Sequence, residues 1–112
     1  MTITQRVIND ATVLDLKGDL TYSNRAAFKT AVEQVKNAGC RHLIINLEQV
    51  RFMDSSGLGL LALLSQTFKV QQVQVSLLKP QSYVREIMSL ANIPKMIPVY
   101  ETEGEALAVR AA

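Results

Sequence analysis

Arg51-Phe52-Met53-Asp54-Ser55-Ser56-Gly57-Leu58-Gly59 sets two apolar residues, a carboxylate and paired hydroxyls directly ahead of a leucine-rich segment. It reads as the start of a helix. Leu58, Leu60, Leu61, Leu63, Leu64 and Phe68 follow at spacings that make this helix apolar on most sides, so burial on most sides is expected. The first turn has N–H groups without helical acceptors. Asp54, Ser55 or Ser56 can cap them, and the positive end of the helix dipole favours an added anion. Ser55 is therefore a candidate phosphate acceptor, although the residues taken alone favour an ordinary helix cap.

Working outward, the strand before this helix is Leu43-Ile44-Ile45 within His42–Leu47, a continuous apolar run of the kind covered on both faces, and the expected centre of the sheet. Ahead of it, Phe28, Ala31, Val32 and Val35 recur at helical spacing between Ser23 and Ala38. Arg25, Lys29, Glu33 and Lys36 lie on the other side, Lys29 and Glu33 at pairing distance, and Gly39 is the natural stop. Thr21 or Ser23 is the expected cap. At the start of the chain, Ile3, Val7 and Ile8 face Val13, Leu14 and Leu16 across Asn9-Asp10, which predicts a hairpin. Gly18-Asp19-Leu20-Thr21 then turns from strand into helix.

Beyond the central helix, Val73, Val75, Leu77 and Leu78 form a strand closed by Pro80. Ser82 opens a helix with apolar positions at Val84, Ile87, Met88 and Ala91, and Asn92-Ile93-Pro94 ends it. Ile97, Val99 and Tyr100 form a short last strand. Thr102 with Glu105 is a capping box for a final helix. The expected fold is α/β, one domain over residues 1–112, with a mixed and largely parallel sheet of four to five strands covered by about four helices.

Composition narrows the function. The chain has 112 residues, 48% of them hydrophobic, enough for one core without disulfides. Its single cysteine, Cys40, cannot bridge internally, nor make a zinc site with the single histidine, His42. A reducing, cytoplasmic setting is expected, with no cofactor and no metal. Met1–Arg6 has no basic lead into an apolar run, and no stretch approaches the roughly 20 apolar residues of a membrane span, so neither export nor insertion is expected. A net charge of +2 with scattered basic residues points away from direct nucleic-acid binding.

Two enzyme readings fail on the residues. Ser55 as a nucleophile needs His42 as its base, but His42 opens a strand and Ser55 follows its far end, roughly 17 Å away or more at about 3.3 Å per residue. Gly57-Leu58-Gly59-Leu60-Leu61-Ala62 matches a dinucleotide-binding pattern by letter, yet Leu77, Leu78 and Lys79 stand where the acidic residue belongs. No enzyme is expected. The glycines instead would let a partner backbone approach the helix start.

The string Phe52-Met53-Asp54-Ser55-Ser56-Gly57-Leu58-Gly59 resembles the signature of the STAS domain, in particular that of the bacterial anti-sigma factor antagonists. Gly18-Asp19-Leu20 is a second landmark, with Thr21 where that family usually has aspartate. The resemblance implies that Ser55, the serine directly after the aspartate, is phosphorylated. It further implies that Asp19, Leu20, Thr21 and Ser23, with Asp54, Ser56, Gly57 and Leu58, contact an anti-sigma factor that is usually a serine kinase. A serine phosphatase would reverse the modification, and the free chain would be a monomer. A STAS subunit of a lipid or ABC transport complex is the alternative.

Overall fold

The computed structural model describes residues 1–109. Among them are five strands and five α-helices: β1 (Thr2–Ile8), β2 (Ala11–Lys17), α1 (Arg25–Asn37), β3 (His42–Gln49), α2 (Ser55–Val70), β4 (Gln74–Leu78), α3 (Ser82–Leu90), α4 (Ile93–Met96), β5 (Val99–Tyr100) and α5 (Glu103–Ala108). Spatial order follows chain order, β1-β2-β3-β4-β5, with β3 central. β1 and β2 are antiparallel, as the Asn9-Asp10 hairpin requires, and Asn9 takes the left-handed conformation at φ 55°. The other pairings are parallel.

Each parallel step advances in the same direction across the sheet, so handedness sends the crossovers to one face. The larger core records this. Phe28, Val32 and Val35 of α1, Leu61, Leu64 and Phe68 of α2, Val84 and Met88 of α3, and Ile93 of α4 pack with Leu14, Leu43, Ile45 and Leu77 of the sheet. On the opposite face Val13, Ile44 and Leu78 meet Ala106 of α5. Arg6 fastens that face: its guanidinium donates to both carboxylate oxygens of Asp15 and, at 2.7 Å, to Glu103. The bond from Arg6, with a second from Asn46, holds the Asp15 carboxyl below its ordinary range.

Several local expectations need correction. α2 is buried along one face only: Leu61, Leu64 and Phe68 are inside, whereas Leu63 and Val70 are exposed. Its apolar content suggests enclosure, but the helix packs with one face on the sheet, flanked by α1 and α4, and its outer face is left open. Neither Thr21 nor Ser23 caps α1; a short 3-10 turn at Tyr22–Asn24 leads into it, and Asn24 donates instead to the Asp19 carbonyl at 2.6 Å. Ser82 is the first residue of α3 and makes no cap bond. Asn92-Ile93-Pro94 ends α3 through a left-handed Asn92, φ 61°, but then begins the one-turn α4, because proline is accommodated in a first helical turn. Lys29 and Glu33 form no ion pair among the described residues, where Arg6, Lys79 and Arg85 supply the cations of the salt bridges.

Candidate functional site

Two loops at the carboxyl ends of β2 and β3 are joined by their backbones. The Leu20 N–H donates to the Phe52 carbonyl at 3.0 Å, and the Asp54 N–H donates to the Leu20 carbonyl at 3.3 Å, a single parallel bridge pairing Leu20 with Met53. Leu20 and Met53 fill the space beneath and are fully buried. The loop after β2 is thereby held against the mouth of α2.

Of the three candidate caps, Asp54 is the one used. Its Oδ1 accepts from the Gly57 N–H at 3.0 Å, and its Oδ2 accepts from the Tyr22 N–H at 3.1 Å. One carboxylate thus closes the helix start and ties it to the neighbouring loop. The Gly57 bond, followed by the Tyr22 bond, holds the Asp54 carboxyl below its ordinary value of 3.8. Such a group stabilises the fold above its unfolded pKa and stops doing so as pH falls through the folded value. Asp54→Asn, which keeps a single oxygen acceptor, is expected to unfold at lower temperature than the wild type at pH 7. The gap should close below pH 3.8, leaving the acid dependence of other carboxylates such as Asp15. Thermal unfolding of both proteins across that range measures it.

With Asp54 as the cap, Ser55 becomes the first residue of α2 and is exposed, its hydroxyl uncommitted to any hydrogen bond among the described residues. Ser56 is half-buried beside it, as is Leu58. Asp19 and Thr21 are half-buried and Ser23 is exposed. Leu20 and Gly57, also expected at a partner contact, are buried and offer no side chain outward. At Gly57 the close backbone approach is intramolecular. A Cβ on Gly57 would run into the Leu20 carbonyl oxygen and lie 2.7 Å from Met53 Cγ, whereas one on Gly59 would meet nothing within 4 Å.

Three exposed aromatics around these loops were not anticipated. Tyr22, 63% exposed, carries the N–H that Asp54 binds, and the Arg25 guanidinium lies 4.4 Å from its ring centre. Phe52, 38% exposed, stacks on Tyr83 of α3 with ring centres 6.0 Å apart. Exposed aromatics beside a cation are a composition found at the cores of protein interfaces. Sequence alone gave no sign of this, since aromatic residues at these positions read equally well as core. His42 lies at the other end of β3, buried, with Nε2 3.0 Å from Ser76 Oγ. No helix among the described residues is long and apolar enough to cross a membrane, and no cluster of metal-binding side chains occurs among them.

The sequence pattern of the STAS domain matches residues 2–106. The chain belongs to the STAS domain family. Among relatives of this STAS domain, the anti-sigma F factor antagonist of Paenibacillus polymyxa is 22% identical over 96 residues, covering 85% of this chain and 82% of that protein. Among solved structures, an anti-sigma factor antagonist from Mycobacterium paratuberculosis aligns with a TM-score of 0.86 at 22% identity, over 95% of this chain and 90% of the other. SpoIIAA in its unphosphorylated form aligns at 0.73 and 22% identity, over 95% and 94%. At these identities the structural likeness establishes the STAS fold, and the antagonist name belongs to the relatives.

Proposed function

We propose that this STAS domain is an anti-sigma factor antagonist whose binding surface is switched by phosphorylation of Ser55. The observation that carries the reading is the exposed hydroxyl of Ser55 at the first position of α2, released from capping because Asp54 performs it. The curated relatives that match 85–91% of this chain bear the name anti-sigma factor antagonist, at 22–24% identity, whereas an anion transporter and a sulfate transporter family protein align over a similar span of it at 20% and 12%, which supports this reading over a subunit of a transport complex.

The switch is electrostatic. Unmodified, the surface presents Asp19, Thr21, Ser23, Ser56 and Leu58 together with Tyr22 and Phe52, and docks on an anti-sigma factor with serine kinase activity. Phosphate adds about 1.5 to 2 negative charges beside the Asp54 carboxylate. The N–H groups and dipole of α2 tolerate that charge, so the fold persists. A partner surface closed over Ser55 would have to desolvate it without a matching cation, and the complex separates. A serine phosphatase restores the docking form. Intact-mass analysis of the protein purified from its native cells, with peptide mapping, should find a phosphate on Ser55 in a fraction that changes with growth conditions. An unmodified Ser55 under growth and stress alike overturns the switch.

A further inference from the structure

The two edges of the sheet are built differently. β5 is two residues long, so little of that edge is open to another strand. β1 is seven residues long and lies alone outside β2, with the backbone groups of alternate residues directed away from the sheet. Its sequence, Thr2-Ile3-Thr4-Gln5-Arg6-Val7-Ile8, is rich in strand-forming residues and contains no proline, lysine or bulge, the usual devices that prevent edge pairing. Its one charge, Arg6, is already satisfied by Asp15 and Glu103. Val7 is 68% exposed with nothing covering it.

We propose that β1 is a self-association edge, through which two copies pair antiparallel about Gln5 and join two five-stranded sheets into one. The register follows from the strand itself. Keeping like faces together across a twofold axis requires residues of the same parity to oppose one another. Full overlap of residues 2–8 then centres on Gln5, placing Thr2 opposite Ile8, Ile3 opposite Val7 and Thr4 opposite Arg6 of the second copy. Ile3 covers the exposed Val7 of the other chain, and no like charges meet. Shifting the centre to Arg6 would set two guanidinium groups face to face, and shifting it to Thr4 shortens the overlap. The groove between β1 and α1, floored by Ile3 and Gln5 and walled by Ala26, Ala27 and Thr30, leaves room for the incoming side chains. β2 lies between this edge and β3 with its Ser55 loop, while Thr2 at the start of β1 pairs with Lys17, just ahead of the loop that carries Asp19, Thr21 and Ser23.

A single strand pair is a small interface, below about 1,200 Å², so the dimer should dissociate on dilution. Sedimentation of the full chain should give monomer at about 1 μM and mostly dimer at several hundred μM, and Gln5→Lys, which opposes two ammonium groups on the axis, should shift the midpoint upward by about two- to fivefold. Disulfide trapping tests the register independently. In a Cys40→Ser background, Gln5→Cys should cross-link on oxidation because directly opposed Cβ atoms lie about 4.5–5.5 Å apart. Thr2→Cys, about 20 Å from its own copy at 3.3 Å per residue, should not. Monomer at every concentration, a dimer indifferent to Gln5→Lys, or equal cross-linking at both positions overturns the proposal.

Discussion

Replacing Gly57 with alanine is expected to destabilise the protein by about 2 kcal/mol, lowering the unfolding midpoint by roughly 10 °C, even though the position lies inside a helix where alanine is ordinarily the better residue. The helical preference contributes about 1 kcal/mol in alanine's favour. Against it stands a Cβ driven into the Leu20 carbonyl and 2.7 Å from Met53 Cγ. A flexible methionine can move aside. The Leu20 carbonyl cannot do so freely, because it accepts the Asp54 N–H, and Leu20 in turn donates to Phe52. Relieving the clash separates the two loops and takes Tyr22 away from Asp54. Valine should cost more than alanine, since it adds two further carbons. Gly59→Ala is the control within the same turn: with nothing within 4 Å of the added carbon, it should raise stability by about 0.5–1 kcal/mol. Thermal unfolding of the two alanine variants decides the point. If both shift the midpoint in the same direction, the close approach at Gly57 is not what holds the loops together.

This pair of glycines also marks where sequence reasoning ends. Both stand in one short motif and both suit the close approach of a partner, yet one faces the interior and the other solvent. The difference depends on Leu20, 37 positions away from Gly57, and no local pattern encodes it. The strands were legible because alternation and continuous apolar runs record burial directly: Leu43-Ile44-Ile45 lies in the central strand β3, and Asn9-Asp10 forms the hairpin. The cap at Thr102 was legible for the same local reason, its Oγ1 accepting the Glu105 N–H at 3.1 Å. The hydroxyls at Ser23 and Ser82 have the right chemistry but not the geometry, since capping depends on the backbone entering the helix at a given angle. α4 was missed because Asn92 and Pro94 signal termination, and a terminator for one helix is also a starter for the next. Legibility of the candidate site was mixed. Asp54 and Ser55 follow from position in the motif, whereas the surface made by Tyr22, Phe52 and Tyr83 arises only when three separate segments meet.

Substituting Ser55 separates the chemistry of the switch from its architecture. Ser55→Ala should fold as the wild type does and retain partner binding, because the hydroxyl makes no cap bond that alanine would lose. Ser55→Asp should also fold, since a carboxylate in the first turn of α2 is favoured by the helix dipole even beside Asp54. Its effect belongs to the interface. A single added charge enclosed against a partner without a counterion should weaken binding by at least about tenfold, or 1.4 kcal/mol, and the phosphoserine with its larger charge by about a hundredfold or more. The comparison is made by titrating each variant against the anti-sigma factor of the proposed switch and following unfolding in parallel. Raising the salt concentration should recover little of the loss, because a desolvated charge is screened far less than an exposed one. Equal affinity of the alanine and aspartate variants would remove charge at Ser55 as the signal. Weak binding that salt restores would instead place Ser55 at an exposed rim, where the charge acts by long-range repulsion.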